Sequence, residues 1–161
     1  MRPLTAASAT PWKTPSTGGG FGYLLMHAAQ TWRVEASRVL QSHKLTVPQF
    51  LVVMALYRQA RHDWPPLKQT EVATRLGMDA NTTSQIVRGL EQRSLLTRTP
   101  NRQDARARAL ALTPTGVAHA RAASAAVRAM NDTYFAVIPA DQLALLGDIL
   151  ITLSAESKER S

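Results

Sequence analysis

The sequence predicts a mainly α-helical fold that carries one small β-hairpin. Three observations predict it. Apolar residues recur at steps of three and four over long stretches, as in Leu143, Leu146, Leu150 and Leu153. Two short helical segments meet at Gly77 in "TEVATRLGMDANTTSQIVRGLEQ". "LLTRTP" (Leu95–Pro100) and "ARALALT" (Ala107–Thr113) then read as two short strands, the second alternating with period two.

In order, residues 1–20 are rich in Ser, Thr, Pro and Gly and read as a flexible tail. Gly18, Gly19 and Gly20 do not make a phosphate loop, because no strand precedes them and no Gly-Lys-Ser/Thr follows. From Phe21 to about Ser42, Tyr23, Leu24, His27, Ala28, Thr31 and Trp32 follow helical spacing. A second helix begins in "LTVPQFLVVMALYRQA", with Thr46 as N-cap and Pro48 in the first turn, where its missing N–H costs little. "DWPP", Asp63 to Pro66, stops it.

Thr70 and Glu71 open a short helix through Leu76, Gly77 closes it, and Asp79 caps the next. This is a helix-turn-helix, and with the hairpin after it, joined by a loop from Pro100 to Arg106, it predicts a winged helix. Thr113 and Pro114 supply N-cap and first-turn proline for a long helix, and a last helix runs from Ala140 to about Ser157. Residues 21–157 are expected to form a single domain.

Composition narrows the function. The chain has 161 residues, 45% of them hydrophobic, which suits a folded core. No apolar run reaches the roughly 18 residues of a membrane span, and the first twenty residues lack a signal-peptide core. With no cysteine, disulfides and thiolate metal sites are excluded. A cytoplasmic protein without membrane attachment is expected. The formal charge of +8 and pI near 10.8 favour a polyanionic partner, nucleic acid first.

The placement of side chains on the second short helix says more than the total charge. At about 100° per residue, Thr83, Ile86, Val87 and Leu90 fall on one side, which must face the core. Opposite lie Asn81, Gln85, Arg88 and Gln92, flanked by Thr82 and Ser84. Amide, hydroxyl and guanidinium groups are those that read base edges in the major groove. An ordinary solvated face would mix Glu and Lys, and this one does not. From Thr82 to Arg108 there are six arginines against Glu91 and Asp104, half the net charge of the chain. Arg98, Arg102, Arg106 and Arg108 fall in the hairpin, and the planar guanidinium fork suits phosphate and minor-groove contacts.

The stretches "LTVPQFLVVMAL" and "TEVATRLGMDANTTSQIVRGLEQRSLLTRTPNRQDARARALALTPTG" resemble the MarR family of winged helix-turn-helix transcriptional regulators. The order of elements matches from about Phe21 to Leu153. The most specific part is Asp104-x-Arg106 followed by Leu110, Leu112, Thr113 and Gly116. The resemblance implies a homodimer built from helices in 21–45 and 113–157, with 46–112 as the head that binds double-stranded DNA. It implies that Asn81, Thr82, Ser84, Gln85 and Arg88 read the major groove. In the wing, with Arg98, Arg102 and Arg108, it implies that Arg106 enters the minor groove and that Asp104 shapes the tip.

It further implies a repressor on a near-palindromic operator, released by a small aromatic or phenolic ligand near His27, Trp32, Tyr57 and Arg58. Trp32 equally suits a core position and Arg58 a surface one. Two departures stand out: Ser94 replaces a helix-closing glycine, and Ala105 and Ala107 replace residues that are often basic.

Nothing points to catalysis, a cofactor or a metal. His27, His43, His62 and His119 are scattered without ligand spacing, and no nucleophile elbow occurs. The alternative reading is a winged-helix module for non-specific nucleic-acid binding or protein contact, which would show salt dependence without sequence preference.

Overall fold

The structure, a computed structural model, describes residues 20–62, 64–100 and 108–159, with positions 100, 108 and 156–159 described by their backbone alone. The chain divides into two compact units, residues 1–35 and 36–161. The expected tail, residues 1–19, lies outside the described residues, as do Asp63 and the expected wing tip. Among the described residues of the first unit there is one element, the start of α1 (Phe21–Gln41). Phe21, Met26 and Val34 on it are exposed, and the Tyr23 and His27 rings stack at 6.1 Å.

In the second unit, capping chemistry sets the helix boundaries. The helix α2 (Val47–Arg61) starts at Thr46, whose hydroxyl accepts from the Gln49 N–H while the Gln49 side chain accepts from the Thr46 N–H. That is a reciprocal capping box, and Pro48 sits in the first turn. A two-residue strand missed in the sequence, β1 (Leu67–Lys68), follows the Pro65–Pro66 pair. The short helix α3 (Gln69–Leu76) begins one residue before the expected Thr70: Lys68 is its N-cap, and its N–H donates to Glu71 Oε2 at 2.7 Å. Gly77 ends it at φ 61°, ψ 33°, a left-handed conformation that glycine takes without a Cβ penalty. Asp79 Oδ1 then accepts from the Thr82 N–H at 2.8 Å and opens α4 (Ala80–Gln92).

The strands β2 (Leu96–Pro100) and β3 (Arg108–Leu112) pair antiparallel, Leu96 opposite Leu112 and Thr99 opposite Ala109. Because β1 adds to the other edge of β3, the sheet has three strands in the order β1-β3-β2 instead of a lone hairpin. Burial departs from the expected alternation: Ala109 and Leu110, adjacent on β3 and so on opposite faces, are both buried, which means that both faces of the middle strand are covered there.

Thr113 caps α5 (Pro114–Tyr134) and ties its start to the chain after α4: its hydroxyl accepts from the Gly116 N–H at 3.0 Å and donates to the Ser94 carbonyl at 2.7 Å. A Cβ on Gly116 would collide with the Leu95 carbonyl oxygen, so the approach of α5 to the chain before β2 requires glycine. Ser94, at the predicted helix-closing position, has φ 55°. The last helix, α6, spans Ala140–Glu159.

The core of this unit is formed by α2, α3, α4 and the sheet, through Val52, Leu56, Val72, Val87, Leu90, Leu96 and Leu110. The corner before α2 is held from two directions. Arg93 Nη1 donates to the Lys44 carbonyl at 2.6 Å, and His119 Nε2 lies 2.7 Å from the His43 carbonyl. A carbonyl only accepts, so Nε2 carries the proton there.

Candidate nucleic-acid interface

Burial on α4 divides the helix as its sequence spacing requires. Thr83, Val87 and Leu90 are fully buried and Ile86 is partly so. The buried Thr83 hydroxyl donates to the Asp79 carbonyl at 2.9 Å, so no donor is stranded in the core. Asn81, Thr82, Gln85, Arg88 and Gln92 are exposed, and Ser84 is half-buried. The structure thus brings all five expected groove-reading residues onto one accessible surface. Arg88 Nη2 donates to Ser84 Oγ at 3.2 Å along that surface, which leaves the rest of the guanidinium fork available.

The first turn of α4 has a defined electrostatic character. Hydrogen bonds from the Thr82 hydroxyl, and then from the Thr82 N–H, hold the Asp79 carboxyl below its ordinary value. A carboxylate at this end also complements the positive pole of the helix.

The wing is only partly described. Arg102, Asp104 and Arg106 lie outside the described residues, and Arg108 is placed in β3 by its backbone. Arg98, on β2, turns back toward α4: its Nε lies 3.1 Å from Glu91 Oε2, misaligned for a hydrogen bond, so the contact is an ion pair. Both side chains are partly exposed, which keeps the attraction small.

Of the four residues expected near a ligand, His27 and Trp32 belong to the unit of residues 1–35, and Tyr57 and Arg58 to the other. Tyr57 and Arg58 line a cleft between α2 and α5 together with Arg61, His62, Arg121 and Arg128. Those last four were missed in the sequence. The available signal was the helical spacing of Arg58 with Arg61 and of Arg121 with Arg128. Among the described residues, no three His, Cys, Asp or Glu side chains gather as a metal site, and no helix is long and apolar enough to cross a membrane.

Comparison with known proteins agrees with this architecture. A model of the MarR family matches residues 43–107, from the corner before α2 into the wing. The uncharacterized HTH-type transcriptional regulator YdcH of Bacillus subtilis is 30% identical over 122 residues, which cover 76% of this chain and 81% of that protein. CouR from Rhodococcus jostii RHA1, bound to p-coumaroyl-CoA, superposes with a TM-score of 0.75 at 25% identity, covering 88% of this chain and 96% of that one. The transcriptional repressor CouR bound to a 23-mer DNA duplex gives a TM-score of 0.74 at 27% identity, with 88% and 99% covered. The chain belongs to the MarR family of winged-helix, DNA-binding transcriptional regulators.

Proposed function

We propose that the protein is a sequence-specific repressor that binds a near-palindromic operator as a homodimer and is released by a small aromatic or phenolic ligand. The observation that carries this reading is the division of α4 into a buried apolar side and an exposed side of amides, hydroxyls and a guanidinium. Asn81 and Gln85 match adenine edges and Arg88 matches guanine, while Thr82 and Ser84 reach bases or phosphates. Arg106 enters the minor groove from the wing with Asp104 shaping the tip, and Arg98, Arg102 and Arg108 add phosphate contacts.

The dimer reading is supported by α6, where Leu145, Ile149, Leu150, Ile151 and Leu153 are all exposed. A monomer rarely leaves so many large apolar side chains in water. The complexes of CouR with a DNA duplex and with p-coumaroyl-CoA support the pairing of an operator with a phenolic ligand.

A sequence-selection assay tests the reading. Wild-type protein is expected to enrich a near-palindrome, and Gln85→Ala to relax base preference at symmetric positions, by about 1–3 kcal/mol of discrimination at each. Enrichment of no sequence, with binding that merely weakens as salt rises, would establish a non-specific module instead.

A further inference from the structure

The helices α2 and α5 pack against each other and hold four arginines between them, Arg58, Arg61, Arg121 and Arg128. All four line the same cleft, whose volume is about 290 Å³. The spacing makes this so: Arg58 and Arg61 lie three apart on α2, and Arg121 and Arg128 seven apart on α5, so each pair shares one helix face. Among the described residues, no acidic one lines the cleft. α2 has none in its sequence, and the one acid of α5, Asp132, lies a turn beyond Arg128.

The neighbouring groups are aromatic. The Arg61 guanidinium lies 6.0 Å from the centre of the Tyr57 ring. His62, also on the cleft, stacks against Trp64 at 4.8 Å with the planes 20° apart, and Trp64 is 52% exposed.

Four like charges gathered with no acid among the described residues lining the cleft repel one another, and a multiply charged anion relieves that repulsion. One guanidinium fork already saturates one carboxylate, so four exceed what an aromatic monoacid can use. Diphosphates carry several charges and many acceptor oxygens in a small volume, and an exposed aromatic stack beside them suits a purine.

We propose that this cleft binds the diphosphate of a nucleotide, with the four guanidiniums on the phosphates and the His62–Trp64 stack against the base. The proposal deepens the ligand-responsive reading and rests on it for any effect on DNA, but binding is measurable separately. The same chemistry occurs in a free nucleotide and in the nucleotide portion of a coenzyme thioester.

Calorimetry on the full chain with ADP, coenzyme A, inorganic pyrophosphate and benzoate tests it. ADP or coenzyme A is expected to bind, pyrophosphate to bind more weakly, and benzoate to leave the arginine cleft empty. A stronger ADP signal identifies a free nucleotide as the source, and a stronger coenzyme A signal identifies the coenzyme. The exposed pair Arg121→Ala/Arg128→Ala should weaken binding about tenfold or more for each guanidinium removed, with the circular dichroism unchanged.

The proposal is overturned if neither nucleotide binds at millimolar concentration, or if both bind equally well to the double variant. Loss of duplex binding in the double variant with nucleotide binding unaltered would also overturn it, making the cleft a DNA-phosphate contact. Should benzoate release DNA while neither nucleotide binds, the ligand-responsive reading stands while this assignment falls.

Discussion

The winged-helix head and α6 use similar apolar residues to opposite effect. In the head, Val52, Leu56, Val72, Val87, Leu90, Leu96 and Leu110 are at most 2% exposed. In α6, Leu145, Ile149, Leu150, Ile151 and Leu153 are 40–69% exposed, and none of its described side chains is buried. The difference lies in the partners that the chain itself supplies. The residues of the head come from helices and strands that meet within about sixty positions. α6 presents apolar groups on several sides, and such a helix needs cover from more than one direction. The apolar residues of the head thus find their cover within the chain, whereas those of α6 find none among the described residues.

The strongest way to break this contrast is to charge α6. Ile149→Asp with Leu153→Asp should turn a dimer into a monomer in sedimentation at micromolar concentration. A two-fold interface loses each side chain twice, at roughly 1.5–3 kcal/mol apiece. Unaltered sedimentation would mean that this face is not the contact between copies.

Next in size, Leu90→Ala removes a fully buried side chain from the head and should cost about 2–5 kcal/mol in urea unfolding. A loss below about 1 kcal/mol would show that the head is not the self-sufficient half. Gly116→Ala forces the α5 start away from Leu95 and should cost about 1–3 kcal/mol in the same assay, with α6-dependent sedimentation preserved.

The smallest effect concerns pH. The Asp79 carboxyl titrates lower folded than unfolded, so its contribution is present above the ordinary aspartate range and fades as pH falls through the folded value. Asp79→Asn keeps a capping oxygen and removes the titration, and it should flatten the acid limb of the stability curve slightly. An acid limb identical to that of the wild type would show that this cap does not couple to folding.

Local chemistry was the legible part of the fold. Thr46, Asp79 and Thr113 cap helices as their sequence context requires, and Gly77 takes the left-handed conformation at the turn. The exposed polar side of α4 was legible for the same reason, because helical spacing alone sorts Thr83, Val87 and Leu90 from Asn81, Gln85 and Arg88.

What escaped depended on pairing across distance. Two residues, Leu67 and Lys68, are too short to show a period, and they form a strand only because β3 lies beside them. The Arg98–Glu91 pair joins the wing to α4 in space, and nothing in the spacing of a single element reveals it. The four-arginine cleft likewise required knowing that α2 and α5 pack together.

The two captured carbonyls at His43 and Lys44 bear on how the head reads DNA. Arg93 follows the last residue of α4, so its bond to Lys44 anchors that helix at its far end, while Asn81 and Gln85 occupy the opposite one. A helix of 13 residues is a lever of about 20 Å, and a tilt of about 10° sweeps its free end by roughly 3 Å. Hydrogen bonds to base edges tolerate only a few tenths of an ångström. A slight yielding at the anchored corner is therefore magnified at Asn81 and Gln85, so the placing of the exposed amides depends on a joint at the far end of the helix.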